Sequence, residues 1–438
     1  MKIILTSILA GTLLASLLTA QTPTYILTDL GPAGNPYSLA TFVTNTGLIT
    51  GAATASDGSQ HAVLWRNGLL MDISSPGLGG PNSGAGAANE LGQILGGAET
   101  AGKDPNNENF CGYGTGLQCV AVLWDYFGTM TPLPTLGGPN GGYGGINNRG
   151  QVAGYAENNT RDHGCRPGVA VNGTGPQALD FEAVIWGPRW GEMRELQPLS
   201  GDTVGMAFGI NDAGRAVGTS GTCGNTVLPG FAAGPHAVLW DSDGQVHDLG
   251  SLGGTANPGI LAVGTVAFAI NNPGEVTGIA ALSGNVTGHP FLWRESTGMM
   301  DLGLLPGDVI GAGLAINNAG DVVGASISAP GAMSGNPSAV LWRNGVINDL
   351  NNLIPANSPL YLLTADAIDD LGEIAGFGIT GAGEIHAFLA TPNHGLFGGD
   401  SSTGAPAAKR PAIPENVRRM LQQGLAFGRL GGRLAHVN

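Results

Sequence analysis

Between residues 24 and 393 the apolar positions come in runs of about five, each cut short by glycine, proline or asparagine. The clearest runs are His61-Ala-Val-Leu-Trp65, Val120-Ala-Val-Leu-Trp124, Glu182-Ala-Val-Ile-Trp186, His236-Ala-Val-Leu-Trp240, His289-Pro-Phe-Leu-Trp293, Ser338-Ala-Val-Leu-Trp342 and His386-Ala-Phe-Leu-Ala390. Apolar runs of this length between turn residues predict β-strands. A hairpin precedes each run. Ile146-Asn-Asn-Arg-Gly150, followed by Gly154, is typical, and its counterparts place the first glycine at 47, 92, 150, 214, 274, 320 and 372. Asn and Asp bond to their own backbone and open tight turns. The glycine supplies the positive φ that closes a short hairpin. The second glycine sits inside a strand pattern, which predicts a bulge or a close backbone approach.

A fourth strand follows each run, as in Val246-His-Asp-Leu-Gly250 and Met300-Asp-Leu-Gly303, and then a joint such as Leu136-Gly-Gly-Pro-Asn140. Each copy therefore holds four strands, A to D, repeating every 45 to 64 residues. Period and strand count predict a propeller blade, and seven copies predict an all-β, seven-bladed β-propeller. The extra residues of the long copies fall in the B–C joints, at 98–119, 156–181 and 219–235. The last copy has no strand D of its own, while Tyr25-Ile-Leu-Thr-Asp-Leu-Gly31 reads as a strand D with no A, B or C before it. Pairing the two closes the ring and leaves no long sheet edge exposed. An outer-membrane barrel needs strands of about 9–11 residues, more than strand C offers.

Composition sharpens this picture. Glycine contributes 76 and proline 27 of 438 residues, which excludes helical bundles and coiled coils. Hydrophobic residues make up 42 % and charged residues 11 %, unlike a disordered chain. Net charge is −15. Residues 394–438 carry four net positive charges and residues 21–393 twenty net negative ones. Nucleic acid, which needs a basic face, is a poor partner for such a body. Lys2 followed by the apolar stretch to Leu18 and a small residue at Ala20 reads as a secretory signal over 1–20. No later stretch reads as a transmembrane segment. Four cysteines in an exported chain suit disulfides. Cys111–Cys119 would close a loop within one joint, and Cys165–Cys223 would staple the joints of blades 3 and 4.

The strings His-Ala-Phe/Val-Leu-Trp, Asp-Leu-Gly with Leu-Gly-Gly, and Ile-Asn-x-x-Gly-x-Val-x-Gly resemble the HAF repeat of bacterial extracellular proteins. The resemblance covers about residues 24–393 and implies an exported repeat architecture. It implies no activity and no catalytic residue. The leading His is replaced at Val120, Glu182 and Ser338, and the Trp at Ala390.

Candidate chemistry is sparse. The strand-C histidines fall one to a blade and cannot converge on one site. The Asn/Asp turns supply mostly amides where calcium wants carboxylates, with Asp369 and Asp370 the best local pair. The tryptophans read as inter-blade packing. No GxSxG, HExxH or P-loop occurs, nor any Ser-x-Asp-x-Gly box. No metal or other cofactor is expected. In a propeller the D–A and B–C joints share one face. That face gathers Asp104, Glu108, Arg161, Asp162, His163 and Arg166 from the insertions, and Tyr37, Tyr143, Asp202, Asp308 and Tyr361 near the channel mouth. Loops on a rigid scaffold are where binding concentrates.

The expected organisation is a signal at 1–20, a propeller at 21–393, a flexible linker at 394–412 and a basic tail at 413–438 with a possible short helix. The expected function is an exported, monomeric, non-enzymatic scaffold, secreted or periplasmic, that binds a protein or glycan on its decorated face. The alternative is a polysaccharide lyase or hydrolase using carboxylates at the channel mouth.

Overall fold

The computed structural model describes residues 25–393 and 410–411 with 413–414, apart from 32–36, 75–76, 126, 166–168, 171–172, 175–176, 190, 227–233, 256–263 and 329–335. The predicted signal, most of the linker and the rest of the tail lie outside the described residues. Among the described residues seven four-stranded antiparallel sheets form seven blades of a β-propeller. Strand A runs through Ser38–Val43, Gly79–Ala88, Gly137–Ile146, Val204–Ile210, Val266–Ile270, Ile310–Ile316 and Leu360–Ile368 in blades 1 to 7. These strands pack side by side around the axis, blade 7 against blade 1.

The ring closes as its sequence phase predicts. Tyr25–Asp29 pairs antiparallel with Ile385–Pro392, from Tyr25 opposite Pro392 to Asp29 opposite Phe388. It thereby completes blade 7. No helix among the described residues is long and apolar enough to cross a membrane.

The core is divided among the blades. One apolar cluster lies between each pair of neighbours, for example Ala62, Leu64, Ala85, Val122 and Trp124 between blades 1 and 2. Strands buried on both faces are therefore apolar at consecutive positions, not alternate ones. An eighth cluster, including Tyr37, Tyr155, Phe208, Phe268, Leu314 and Phe377, fills the end of the ring where the D–A and B–C joints emerge.

The tryptophans stitch blades together. The indole N–H groups of Trp65, Trp124, Trp186, Trp240 and Trp342 donate to carbonyls of Leu30, Ile73, Pro134, Gln197 and Gly303. Each acceptor lies in the joint leaving the preceding blade. The repeat glycines have two separate duties. The first has φ between 75° and 91° in all seven turns. At the second, a Cβ would collide with a strand-A carbonyl, that of Leu39 at Gly51 and Met206 at Gly218. Strand A bulges opposite it, as between Ala40 and Phe42.

Two details depart from the sequence reading. The Gly-Gly-Pro-Asn segments at 79–82 and 137–140 are not loops but the first part of strand A, set off by a register shift. Glycine there lets the backbone lie against Glu99 and Glu157 of strand B, where a Cβ would not fit. In addition, one long joint, 249–265, is a D–A joint rather than a B–C insertion. It emerges on the same face.

Candidate binding face

The B–C insertions of blades 2, 3 and 4 are tied into one body. Cys111 is bonded to Cys119 within the blade 2 insertion, and Cys165 to Cys223 across blades 3 and 4. Both pairings match the sequence expectation. Buried acids join blade 2 to blade 3. Glu108, fully buried, accepts from the backbone N–H groups of Ala178 and Leu179. Asp104 accepts from Asn140 Nδ2 at 2.8 Å, and the same amide donates to Glu157 at 2.9 Å. Arg161 reaches Asn106 at 2.9 Å. Burial, and then the Glu108 charge, push Glu157 up to about 9. Glu108 is likewise raised by burial and by Asp104.

Asp104 and Glu108 were read from sequence only as loop residues of the decorated face, and Glu157 was not singled out. The signal was present in the pairing of Asn with a strand-B Glu. Asn82 and Asn140 each accept from the strand-C backbone of the preceding blade, at Gln60 and Cys119, and donate to Glu99 and Glu157.

The predicted mouth residues divide into two groups. Tyr37 is 2 % exposed and belongs to the apolar cluster, and Tyr143 packs partly buried against it. Burial raises both phenols. Asp202 and Asp308 occupy equivalent turns, Leu199-Ser-Gly-Asp202 and Leu305-Pro-Gly-Asp308. Each accepts from a strand-B serine, Ser220 at 2.7 Å and Ser326 at 2.6 Å. Asp202 precedes blade 4 and Asp308 blade 6, so a full blade separates them. Asp308 also holds Arg410, from the region read as linker. Tyr361 lies beside this pair with its hydroxyl 2.6 Å from Ser338, and burial pushes it up to about 12. His163 is exposed on the blade 3 insertion, and Arg166 lies outside the described residues.

The strand-C histidines pair within their own blades. His61, His236, His289 and His386 place Nδ1 against Asp72, Asp248, Asp301 and Asp29 at 2.6 to 3.1 Å. The aspartate is that of the strand-D Asp-Leu-Gly or its equivalent, so the two repeat motifs are halves of one C-to-D clasp. Blade 1 adds Ser59, whose hydroxyl lies 3.0 Å from His61 Nε2 and donates to Asp57. In blade 3 Glu182 replaces the histidine, and burial pushes it up to about 8.

At the opposite end the seven A–B turns wall a cavity of about 150 Å³ lined by Glu90, Asp212 and Asp370 and by no basic residue. Among the described residues the one close group of three metal-ligand types is Asp162, Cys165 and Cys223. Its sulfurs are joined to each other and offer no thiolate.

No protein-family model and no curated protein matches the chain. Solved structures match at low similarity. The Aleuria aurantia lectin in complex with Fucalpha1-6GlcNAc is 11 % identical at TM-score 0.33, covering 85 % of this chain and 98 % of that one. Trypanosoma rangeli sialidase is 8 % identical at TM-score 0.38, covering 85 % and 60 %. TolB from Acinetobacter baumannii is 13 % identical at TM-score 0.30, covering 47 % of this chain; the match spans only 41 % of TolB. At these scores the likenesses carry no functional argument. The fold rests on the chain's own sheets.

Proposed function

We propose that the chain is an exported, non-enzymatic HAF-repeat propeller that binds a protein or glycan on the face carrying its D–A and B–C joints. One observation carries the reading: the insertions of blades 2, 3 and 4 are locked together by a disulfide and by buried carboxylate hydrogen bonds. Solvated loops need no such fastening. A platform ordered before binding loses less entropy on association. The stretch read as a secretory signal at 1–20 and the pairing of all four cysteines support export. The test is a glycan array and a secreted-protein panel probed with the full chain and with Cys165→Ser/Cys223→Ser. A ligand held by the first and weakened about tenfold or more by the second supports the platform; no ligand on either panel overturns it.

A second reading, hydrolysis, is favoured by the line of Asp72, His61 and Ser59. The Asp57 carboxylate competes with the imidazole for the single Ser59 hydroxyl proton, which works against activation of the nucleophile. The carboxylates proposed for a glycan-active site, Asp202 and Asp308, are each held by a serine, and Asp308 by Arg410 as well. Labelling of the chain by a fluorophosphonate, abolished in Ser59→Ala, would replace the binding reading with this one.

A further inference from the structure

The channel mouth already holds a piece of this chain. Arg410 lays its guanidinium fork on Asp308, Nη1 to Oδ1 at 2.6 Å and Nη2 to Oδ2 at 2.8 Å. Nη1 also donates to the carbonyl of Asn336, and Asn336 Nδ2 donates in turn to the carbonyl of Pro411. Three residues beyond the arginine, Ile413 is 8 % exposed and joins the apolar cluster at this end of the ring. Two parallel N–H···O bonds to one carboxylate are a geometry that arginine offers and lysine does not.

The ring does not need this segment to close. Tyr25–Asp29 completes blade 7, and seven four-stranded sheets are present without any tail residue. The segment therefore sits on a finished scaffold through side chains and one carbonyl, as a ligand would. The Asp308 side chain is only 1 % exposed. That burial holds with Arg410 in place, and the guanidinium supplies the charged partner that a buried carboxylate needs. Beside Pro411 a cavity of about 380 Å³, bounded by Pro355, Leu360 and Ile379, remains open. The cavity lies beside the docked segment and gives the mouth room next to Pro411. The surrounding body is acidic and attracts basic segments.

We infer that the mouth is an arginine-reading peptide site whose internal occupant is the Arg410–Pro414 segment. The external ligand is a peptide with an arginine and, three positions later, an aliphatic residue. This rests on the reading of that face as a binding platform and narrows its ligand to a peptide. Joined to the ring through residues 394–409, the tail acts at the high effective concentration of a tethered ligand and shields the site.

The probe is a fluorescent peptide of residues 408–415, Ala-Lys-Arg-Pro-Ala-Ile-Pro-Glu, followed by anisotropy against full-length chains. Arg410→Ala/Ile413→Ala vacates the mouth and is expected to bind the peptide at least about tenfold tighter than the wild-type chain does. Adding Asp308→Asn is expected to weaken that binding about 100-fold, as is replacing arginine by alanine in the peptide. Thermal melts confirm that each chain is folded. If the double variant is unstable, Ile413→Glu expels the tail by burying a charge and gives the same readout. A folded, vacated chain that does not bind the peptide overturns the inference, and so does binding indifferent to Asp308→Asn. A glycan hit on the array with no peptide binding overturns this inference while leaving the platform standing.

Discussion

Asn45 and Asp370 stand 325 residues apart in sequence, and the Oδ1 of Asn45 accepts the backbone N–H of Asp370 at 2.8 Å. The bond is the seventh in a closed circle. The N–H of Asn45 donates to Glu90, that of Glu90 to Asn148, and so on through Asp212, Asn272, Asn318 and Asp370. One side chain per blade thus accepts from the turn of a neighbouring blade. The repeat pair, Asn-Asn or Asn-Asp in blades 3 to 6, opens each hairpin with its first member and links the blades with its second.

Asp370, like Asp212, accepts three bonds in this circle. It accepts the N–H of Asn318 and the Nδ2 groups of both Asn45 and Asn318. Asp370→Ala is expected to lower unfolding stability by about 1–2 kcal/mol in urea titrations, since the bonds are partly solvated. Asp370→Asn keeps the Oδ1 acceptor and is expected to lose less than half as much. Equal stability of the alanine variant and the wild-type chain would show that the circle contributes nothing.

A second ladder lies beneath the first and lacks two of its seven rungs, at Thr44 in blade 1 and at Asp369 in blade 7. Nδ2 of Asn89, Asn147, Asn211, Asn271 and Asn317 each donates to the carbonyl of the corresponding residue one blade on. In blade 7 the position is Asp369, 5 % exposed, and its Oδ2 has no partner. Burial, and then Glu373, push its carboxyl up to about 6. A raised carboxyl stabilises the fold below its unfolded value near 4, and that contribution is lost as pH rises to about 6. Asp369→Asn restores the donor. It is expected to match the wild-type chain near pH 4 and to exceed it by about 1–2 kcal/mol at pH 7.5. A constant difference between the two pH values would rule out titration of Asp369 as the cause.

The paired glycines give a sharper contrast. At Gly218 a Cβ would run into the carbonyl oxygen of Met206, where strand A bulges between Ala207 and Gly209. No side chain can move aside to relieve it. Gly47 has φ of +76° and open space around it. Gly47→Ala is expected to cost about 1–2 kcal/mol, the penalty of a left-handed alanine. Gly218→Ala is expected to exceed 3 kcal/mol or to prevent folding. Similar melting temperatures for the two variants would contradict this ordering.

These contrasts mark what the sequence reading could reach. Hairpin glycines, tryptophan strands and the orphan strand D at Tyr25 act through local backbone geometry and a fixed period. They were legible without coordinates, as were the two cysteine pairings, which follow from joint order in a ring. The docking of Arg410 on Asp308 was not, because it joins residues 102 apart through no repeat and no motif. The only trace was the opposition of a basic tail to an acidic body. The His61–Asp72 clasp was hidden for a different reason. Both halves were recognised as repeat elements, but their pairing depends on the C-to-D register, which a short strand does not announce.

The buried acids between blades 2 and 3 set the chain's response to alkali. Glu157 is fully buried and accepts from Asn140 and Gln177, with Glu108 and Asp104 nearby and no basic side chain among its hydrogen-bond partners. Burial and the Glu108 charge hold its proton to about pH 9, whereas the unfolded carboxyl loses it near 4.3. The folded chain therefore binds one more proton across that interval. Its stability declines as pH rises from about 5 and levels off only beyond about 9. Glu157→Gln removes the titrating group. Its amide nitrogen faces a donor from Asn140 or Gln177, and reversing the Gln177 amide relieves the conflict at the loss of the bond to Leu179. The variant is accordingly expected to be no more stable than the wild-type chain at pH 5 and more stable at pH 9, the gap widening between the two. Urea midpoints measured across this range decide the matter. Parallel profiles for the two chains would show that Glu157 is ionised in the fold, with its charge compensated by donors alone.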